Sequence, residues 1–300
     1  MKVHLGINNC YAVKRWPEPD VWGKQISERL GLRYVQFTFD LLDPRCTEEV
    51  RYSMCGEIKR AAKKFGFEVH NAVTGLAAFT YNMFLHPFIE FRKDGLRWCE
   101  QAAVTSEWMG ARGVGGGLSG ASTESFKDPV RREYLVNEFI ESLKYFARYA
   151  AVHNQKFIIW EPSPLGRDML CSIDEGFRLH ERLNRDVPIP IQFNINLGHQ
   201  CGYEMKGRDR DTYKWLEELG RFSPVINIQQ TDGLFDRHWP FTKEYNEKGI
   251  IKMDKVLKAL DKSGLKEVYF FPEIIHPFEL EESEVLKDLD ESFKYLKQFI

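Results

Sequence analysis

The sequence predicts a closed α/β barrel of alternating strands and helices, (β/α)8, on three observations. Short apolar runs alternate with amphipathic segments from one end of the chain to the other. Two of these runs, Phe157-Ile158-Ile159-Trp160-Glu161-Pro162-Ser163-Pro164 and Val268-Tyr269-Phe270-Phe271-Pro272-Glu273, end in a carboxylate, although they lie far apart in the chain. The 300 residues, 43% of them hydrophobic, exceed the usual size of a single core unless the sheet closes on itself. Nothing in composition marks a linker or a low-complexity break, so residues 1–300 are read as a single barrel domain.

In chain order, Leu5 to Cys10 reads as the first strand, turn material at Trp16-Pro17-Glu18-Pro19-Asp20 follows, and Val21 to Leu30 is amphipathic. Tyr34 to Asp40 alternates as a strand should. Glu48 to Phe65 is helical in composition and Gly66 stops it; Phe67 to Val73 is the third strand. A helix over Phe88 to Met109 leads into the glycine-rich fourth strand, Gly110 to Gly117. Val136, Phe139, Ile140, Leu143, Ala147 and Ala150 form a helical stripe before the strand that delivers Glu161. Asp174–Asn184, Thr212–Leu219, Met253–Leu260 and a last segment carrying Leu286, Leu289, Phe293, Leu296 and Ile300 read as helices. Ile189–Leu197, Val225–Gln230 and Val268–Ile275 read as strands six, seven and eight.

Charge and cysteine usage exclude several functions. With 42 basic and 44 acidic residues the net charge is -2, and no like-charged block forms a tail or stripe, which argues against a nucleic-acid partner. Cys10, Cys46, Cys55, Cys99, Cys171 and Cys201 are scattered and form no Cys-x-x-Cys pair, so neither a zinc knuckle nor a disulfide framework is expected. Met1 to Asn9 lacks the apolar region of a signal peptide, and no apolar run is long enough to span a membrane. The expectation is a cytoplasmic protein with reduced thiols and no membrane partner.

On a barrel, strand ends converge on one mouth. The polar residues read at those ends are His70, Glu161, Asn196 with His199, Asn227 with Gln229, the trio Asp236-Arg237-His238, and Glu273. Two carboxylates surrounded by hard oxygen donors and imidazoles suit a divalent cation, Mn²⁺ or Mg²⁺. Taken singly, each histidine is better explained by a packed or hydrogen-bonded core role than by ligation. Arg167, in Leu165-Gly166-Arg167-Asp168, is the candidate for gripping a phosphate or carboxylate, against the alternative of a loop arginine paired with Asp168. Gly115-Gly116-Gly117 offers backbone N–H groups to the same anion or, equally, close packing at the rim.

The motifs Val35-Gln36-Phe37, Asp40-Leu41-Leu42-Asp43-Pro44, Thr74-Gly75-Leu76 with Asn82 and His86-Pro87, Trp160-Glu161-Pro162 and Asn196-Leu197-Gly198-His199 continue into Gln229-Gln230-Thr231-Asp232-Gly233, Asp236-Arg237-His238-Trp239-Pro240-Phe241 and Glu273-Ile274-Ile275. Together they resemble the sugar-phosphate isomerases and epimerases with the xylose-isomerase-like barrel, and within them the subgroup that acts on tetrulose phosphates. The resemblance implies one metal held by a Glu, an Asp, a His and a second Glu at the ends of strands five to eight. Carried onto this chain, those positions are Glu161, Asn196, Asn227 and Glu273, so amides stand where an Asp and a His are expected. It further implies a sugar or sugar-phosphate substrate and a homo-oligomer.

The expected activity is isomerisation or 3-epimerisation of a short ketose or ketose phosphate. Glu161 and Glu273 would act as proton donor and acceptor, in an order left open, and His70, Arg167, His199, Gln229, Asp236 and His238 would bind substrate. Decarboxylation of a 3-oxo sugar acid and non-catalytic sugar binding are the alternatives.

Overall fold

The computed structural model describes residues 1–163, 165–169 and 172–300; Pro164, Leu170 and Cys171 lie outside the described residues. Eight parallel strands close a barrel in chain order, β1 completing the ring against β8. They are β1 (Lys2–Asn8), β2 (Tyr34–Thr38), β3 (Glu68–Val73), β4 (Gly113–Gly116), β5 (Phe157–Trp160), β6 (Ile191–Asn196), β7 (Val225–Ile228) and β8 (Glu267–Pro272). The helices are α1 (Pro19–Lys24), α2 (Glu48–Phe65), α3 (Leu76–Phe79), α4 (Ile89–Met109), α5 (Thr123–Lys127), α6 (Pro129–Val152), α7 (Ile173–Leu183), α8 (Thr212–Leu219), α9 (Lys243–Lys248), α10 (Met253–Ser263) and α11 (Glu282–Leu296).

Local chemistry sets the boundaries. Gly66 ends α2 in the left-handed region, at φ 74°. Asp128 accepts from the N–H groups of Val130 and Arg131 and starts α6 with Pro129 at its first position. β1 stops at Asn8, two residues before the predicted end, because the Asn8 side chain turns back onto the Cys10 N–H and opens a 3-10 turn. The amphipathic Val21–Leu30 segment is α1 continued by a π-turn over Gln25–Arg29.

Alternation along the strands separates two apolar layers. Ile158 and Trp160 point outward, where the Trp160 ring meets Phe139 of α6 at 4.9 Å and Phe193 of β6 at 5.7 Å between centroids. Phe157 and Ile159 point inward and pack with Val73, Val225 and Phe271 at the barrel axis. Glu161 lies two residues beyond Ile159 and Glu273 two beyond Phe271, so the same period aims both carboxylates into the mouth.

Among the described residues no helix is long and apolar enough to cross a membrane, and Cys10, Cys46, Cys55, Cys99 and Cys201 are free thiols.

Candidate active site

Above the apolar plug the barrel interior becomes a belt of amides. Asn194 and Asn196 sit on the inward side of β6, Asn227 on β7, Asn8 on β1 and Gln36 on β2, all buried. The NH2 groups of the four asparagines converge on the two acids, while Gln36 Oε1 accepts from Asn8 Nδ2 at 2.8 Å. Asn194 Nδ2 donates to Glu161 Oε2 at 2.9 Å, Asn227 Nδ2 to Glu273 Oε2 at 3.0 Å, and Asn8 Nδ2 to Glu273 Oε1 at 3.2 Å. Asn196 Nδ2 donates to both acids, at 3.0 Å to Glu161 Oε1 and 2.8 Å to Glu273 Oε2. The carboxylates therefore face each other across one amide nitrogen.

The structure thus brings together the four positions that the resemblance assigns to a metal, but not in a metal-holding orientation. The Asn196 oxygen is taken by the Gly198 N–H at 3.1 Å and by Gln229 Nε2 at 2.8 Å, which leaves the amide to present hydrogens, not a lone pair, to the centre. Asn227 likewise turns its nitrogen to Glu273. Glu161, Asn196, Asn227 and Glu273 as arranged do not fit a cation.

A second cluster stands beside them. His199 donates Nδ1–H to the Pro162 carbonyl at 2.7 Å, and His238 donates Nδ1–H to the Glu273 carbonyl at 3.1 Å. With those tautomers fixed, the two Nε2 atoms face one oxygen of Asp236, at 3.3 and 3.1 Å. Burial acts to lower both imidazoles, but the adjacent Asp236 carboxylate overcomes it, carrying His199 up to about 10 and His238 up to about 9. Burial would raise Asp236, yet the two rings hold it well below the usual carboxylate range. Glu161 moves the other way: burial, then the charge of Glu273, pushes it up to about 7. His199, Asp236 and His238 also place one ligand atom each within 4.8 Å of one another, and two imidazole nitrogens with a carboxylate oxygen are a donor set that suits a divalent ion.

These groups line a cavity of about 360 Å³ at the C-terminal face of the barrel, walled on its outer side by Leu76, Phe79 and Ile275. Among the described residues, Arg237 is the one arginine or lysine that lines it. Its guanidinium lies between the Phe235 and Trp239 rings, 4.8 and 5.2 Å from their centroids. Nε and Nη2 both bond Asp232 Oδ2, leaving Nη1 without that partner. A larger groove of about 870 Å³ between α9 and α11 lies outside this mouth and contains neither glutamate.

Not every residue read at the strand ends reaches the mouth. His70 is the extra residue of a bulge, since Val35 pairs with Val69 while Gln36 pairs with Asn71. Its buried ring packs tilted against Tyr269, 4.1 Å between centroids, four residues or about 13 Å of strand below Glu273. Burial brings it down to about 4, so it is a neutral core imidazole rather than a substrate contact. Arg167 lies on a short turn outside the cavity lining, against the Tyr203 hydroxyl; Asp168 is buried and occupied with Ser119 and the Ser163 N–H. The glycine run is packing: a Cβ on Gly115 would overlap the Ile159 carbonyl, and one on Gly116 the Thr74 side chain. Asn82 bonds the Gly120 carbonyl and His86 caps the Phe88 N–H, neither lining the mouth.

Sequence reading missed Asn8, Gln36 and Asn194. The signal was present in β6, where Gln192, Asn194 and Asn196 alternate with Ile191, Phe193 and Ile195, a polar inward face on an otherwise apolar strand.

The comparisons agree with this architecture. The chain is 29% identical over 267 residues, 88% of this chain and 85% of the relative, to D-erythrulose 1-phosphate 3-epimerase of Brucella abortus (strain 2308). It superposes on the crystal structure of a Rhodospirillum rubrum ATCC 11170 protein provisionally named xylose isomerase with a TM-score of 0.92 at 31% identity, covering 99% of each chain. D-psicose 3-epimerase of Clostridium cellulolyticum H10, solved with D-tagatose, gives 0.73 at 12% identity over 99% of each chain, a likeness of fold alone. The family model for the xylose isomerase-like TIM barrel matches residues 25–299. With the ring of eight strands and this match over most of its length, the chain belongs to the xylose isomerase-like TIM barrel family.

Proposed function

We propose that this protein is a sugar epimerase acting at C3 of a short ketose phosphate of the tetrulose-phosphate type. The observation that carries the reading is the pair of carboxylates, Glu161 and Glu273, opposed across one amide at the mouth of the barrel. The likeness to a D-erythrulose 1-phosphate 3-epimerase supports the substrate class.

Inverting C3 of a ketose requires removal of the proton beside the carbonyl, stabilisation of the enediolate and return of a proton to the opposite face. Glu161 keeps its proton to about pH 7, which suits it to return a proton and leaves the acceptor's part to Glu273. Glu273 takes the C3 proton, the negative charge moves to the carbonyl oxygen, and Glu161 returns a proton from the other side. His199 lies 3.9 Å from Glu161 and His238 lies 3.7 Å from Glu273, so each cationic ring flanks one acid and its field opposes the charge of the enediolate. Arg237, with Nη1 free of Asp232, is placed to receive the phosphate. Where Mn²⁺ or Mg²⁺ binds, Nε2 of His199, Nε2 of His238 and the Asp236 carboxylate would hold it, adding Lewis-acid charge beside the substrate oxygens.

Incubation with D- and L-tetrulose phosphates in deuterated water tests the reading. Deuterium should enter C3 as the epimer accumulates; absence of exchange on every short ketose and ketose phosphate tried would refute it.

A further inference from the structure

We infer that the Asn196 side chain, held in one orientation by Gln229, takes the place of a divalent cation between Glu161 and Glu273, so that no metal ion sits between the two acids. The catalytic meaning of this bridge rests on the epimerase reading, but the bridge itself does not.

A cation between two carboxylates offsets their repulsion and fixes their spacing. Here one nitrogen does both, spending one N–H on each acid at 3.0 and 2.8 Å. Which end of an amide faces a carboxylate depends on its other partners, and here they trace back to main-chain N–H groups, which can only donate. Gln229 Oε1 accepts from the backbone N–H of Arg237 at 3.1 Å and of His238, so its Nε2 must point the other way. That Nε2 meets Asn196 Oδ1 at 2.8 Å and Asp236 Oδ1 at 2.6 Å. The Gly198 N–H meets the same Asn196 oxygen at 3.1 Å. Gly198 is required for this arrangement, because a Cβ there would overlap the Gln229 side chain.

Turning Asn196 to offer its oxygen to a cation would set its NH2 against two donors and break the bonds to both glutamates. The acids also accept from other directions: Asn194 donates to Glu161, and Asn8 and Asn227 to Glu273, so Glu273 Oε2 alone accepts two N–H bonds. The Asn196 nitrogen stands between the two acids, where a bridging ion would sit.

The test follows Mn²⁺ binding by electron paramagnetic resonance in chelator-treated wild-type protein, Glu161→Gln and the double variant Asn196→Asp/Asn227→His. Wild type and Glu161→Gln should bind the same number of ions, whether none or one at the His199–Asp236–His238 cluster, and the double variant should bind one more. An ion bound by the wild type and lost in Glu161→Gln overturns the inference, as does a folded double variant that gains none. If the double variant does not fold, the comparison of wild type with Glu161→Gln decides alone. None of these measurements needs a substrate, so failure of the epimerase reading leaves the test intact.

Discussion

Replacing Glu161 by Gln should make the protein more stable at pH 8 while removing its activity. In the folded chain Glu161 holds its proton to about pH 7, against an ordinary value of 4.5. A carboxyl raised by folding contributes stability that is complete below its unfolded pKa and is lost as pH rises from about 4.5 through about 7. The interval corresponds to about 3 kcal/mol, paid by the wild type at pH 8 and absent in the variant. Against this stands the cost of giving two amide donors a partner that is half donor. Asn196 cannot turn, because Gly198 and Gln229 hold its oxygen. Asn194 can: its Oδ1 is buried and without a partner, and rotation would present it to the new NH2. With about 1 kcal/mol allowed for imperfect geometry, the variant should gain about 2 kcal/mol at pH 8, on the order of 5 °C in Tm for a chain of this size. At pH 5 the gain should vanish. Denaturant unfolding of both proteins at the two pH values measures the difference directly. A variant that is destabilised at pH 8, or whose offset from the wild type does not change with pH, refutes the account of Glu161 as a buried acid that keeps its proton. Deuterium exchange at C3 should fall by roughly 10² to 10⁴ in the same variant.

Two further perturbations address the charges around the pair. In Asp236→Asn, His199 and His238 lose the carboxylate that does most to raise them, and only Glu161 with the Pro162 carbonyl, and Glu273, remain against burial; with metal-stripped protein, ring ¹⁵N shifts should show both imidazoles charged at pH 8 in the wild type and a smaller charged fraction in the variant. Because both pKa values are raised by folding, the stability they contribute is complete below about 6.5 and is lost as pH climbs through about 9 and 10, a step that should be smaller in the variant; neutral rings in the wild type at pH 8 would contradict this. Arg237→Met should raise KM for a ketose phosphate by about 10- to 100-fold, the worth of a charge-assisted bond, with little effect on the unphosphorylated ketose; equal losses on both would remove Arg237 from phosphate binding.

The barrel was legible because its signals are local. Gly66 marks the end of α2, the Thr212–Leu219 helix has the bounds read from its sequence, and the inward period that carries Ile159 and Phe271 carries Glu161 and Glu273 to the same rim. What escaped was decided at long range. The bulge that places His70 in the core exists only in the pairing of β3 with β2, and a single strand gives no warning of it. Arg167 looked like an anion grip because a loop does not disclose where its side chain points, whereas Arg237 is fixed by Asp232 and two rings. The residue at 196 is legible in the sequence but the direction of its amide is not, because that is set by Gln229 and, through it, the main chain of Arg237, remote in sequence from it.

Gln229 has a consequence for how this protein can change. It ties the loop after β7 to the two glutamates, since the backbone of Arg237 and His238 on one side and Asn196 on the other share a single side chain. Loop grafts aimed at a new sugar would disturb the acids themselves unless they reproduce the two N–H groups that Gln229 reads. Substrate range in this chain is therefore more freely altered from the opposite wall, at Leu76 and Phe79, where side chains touch the cavity without supporting either glutamate.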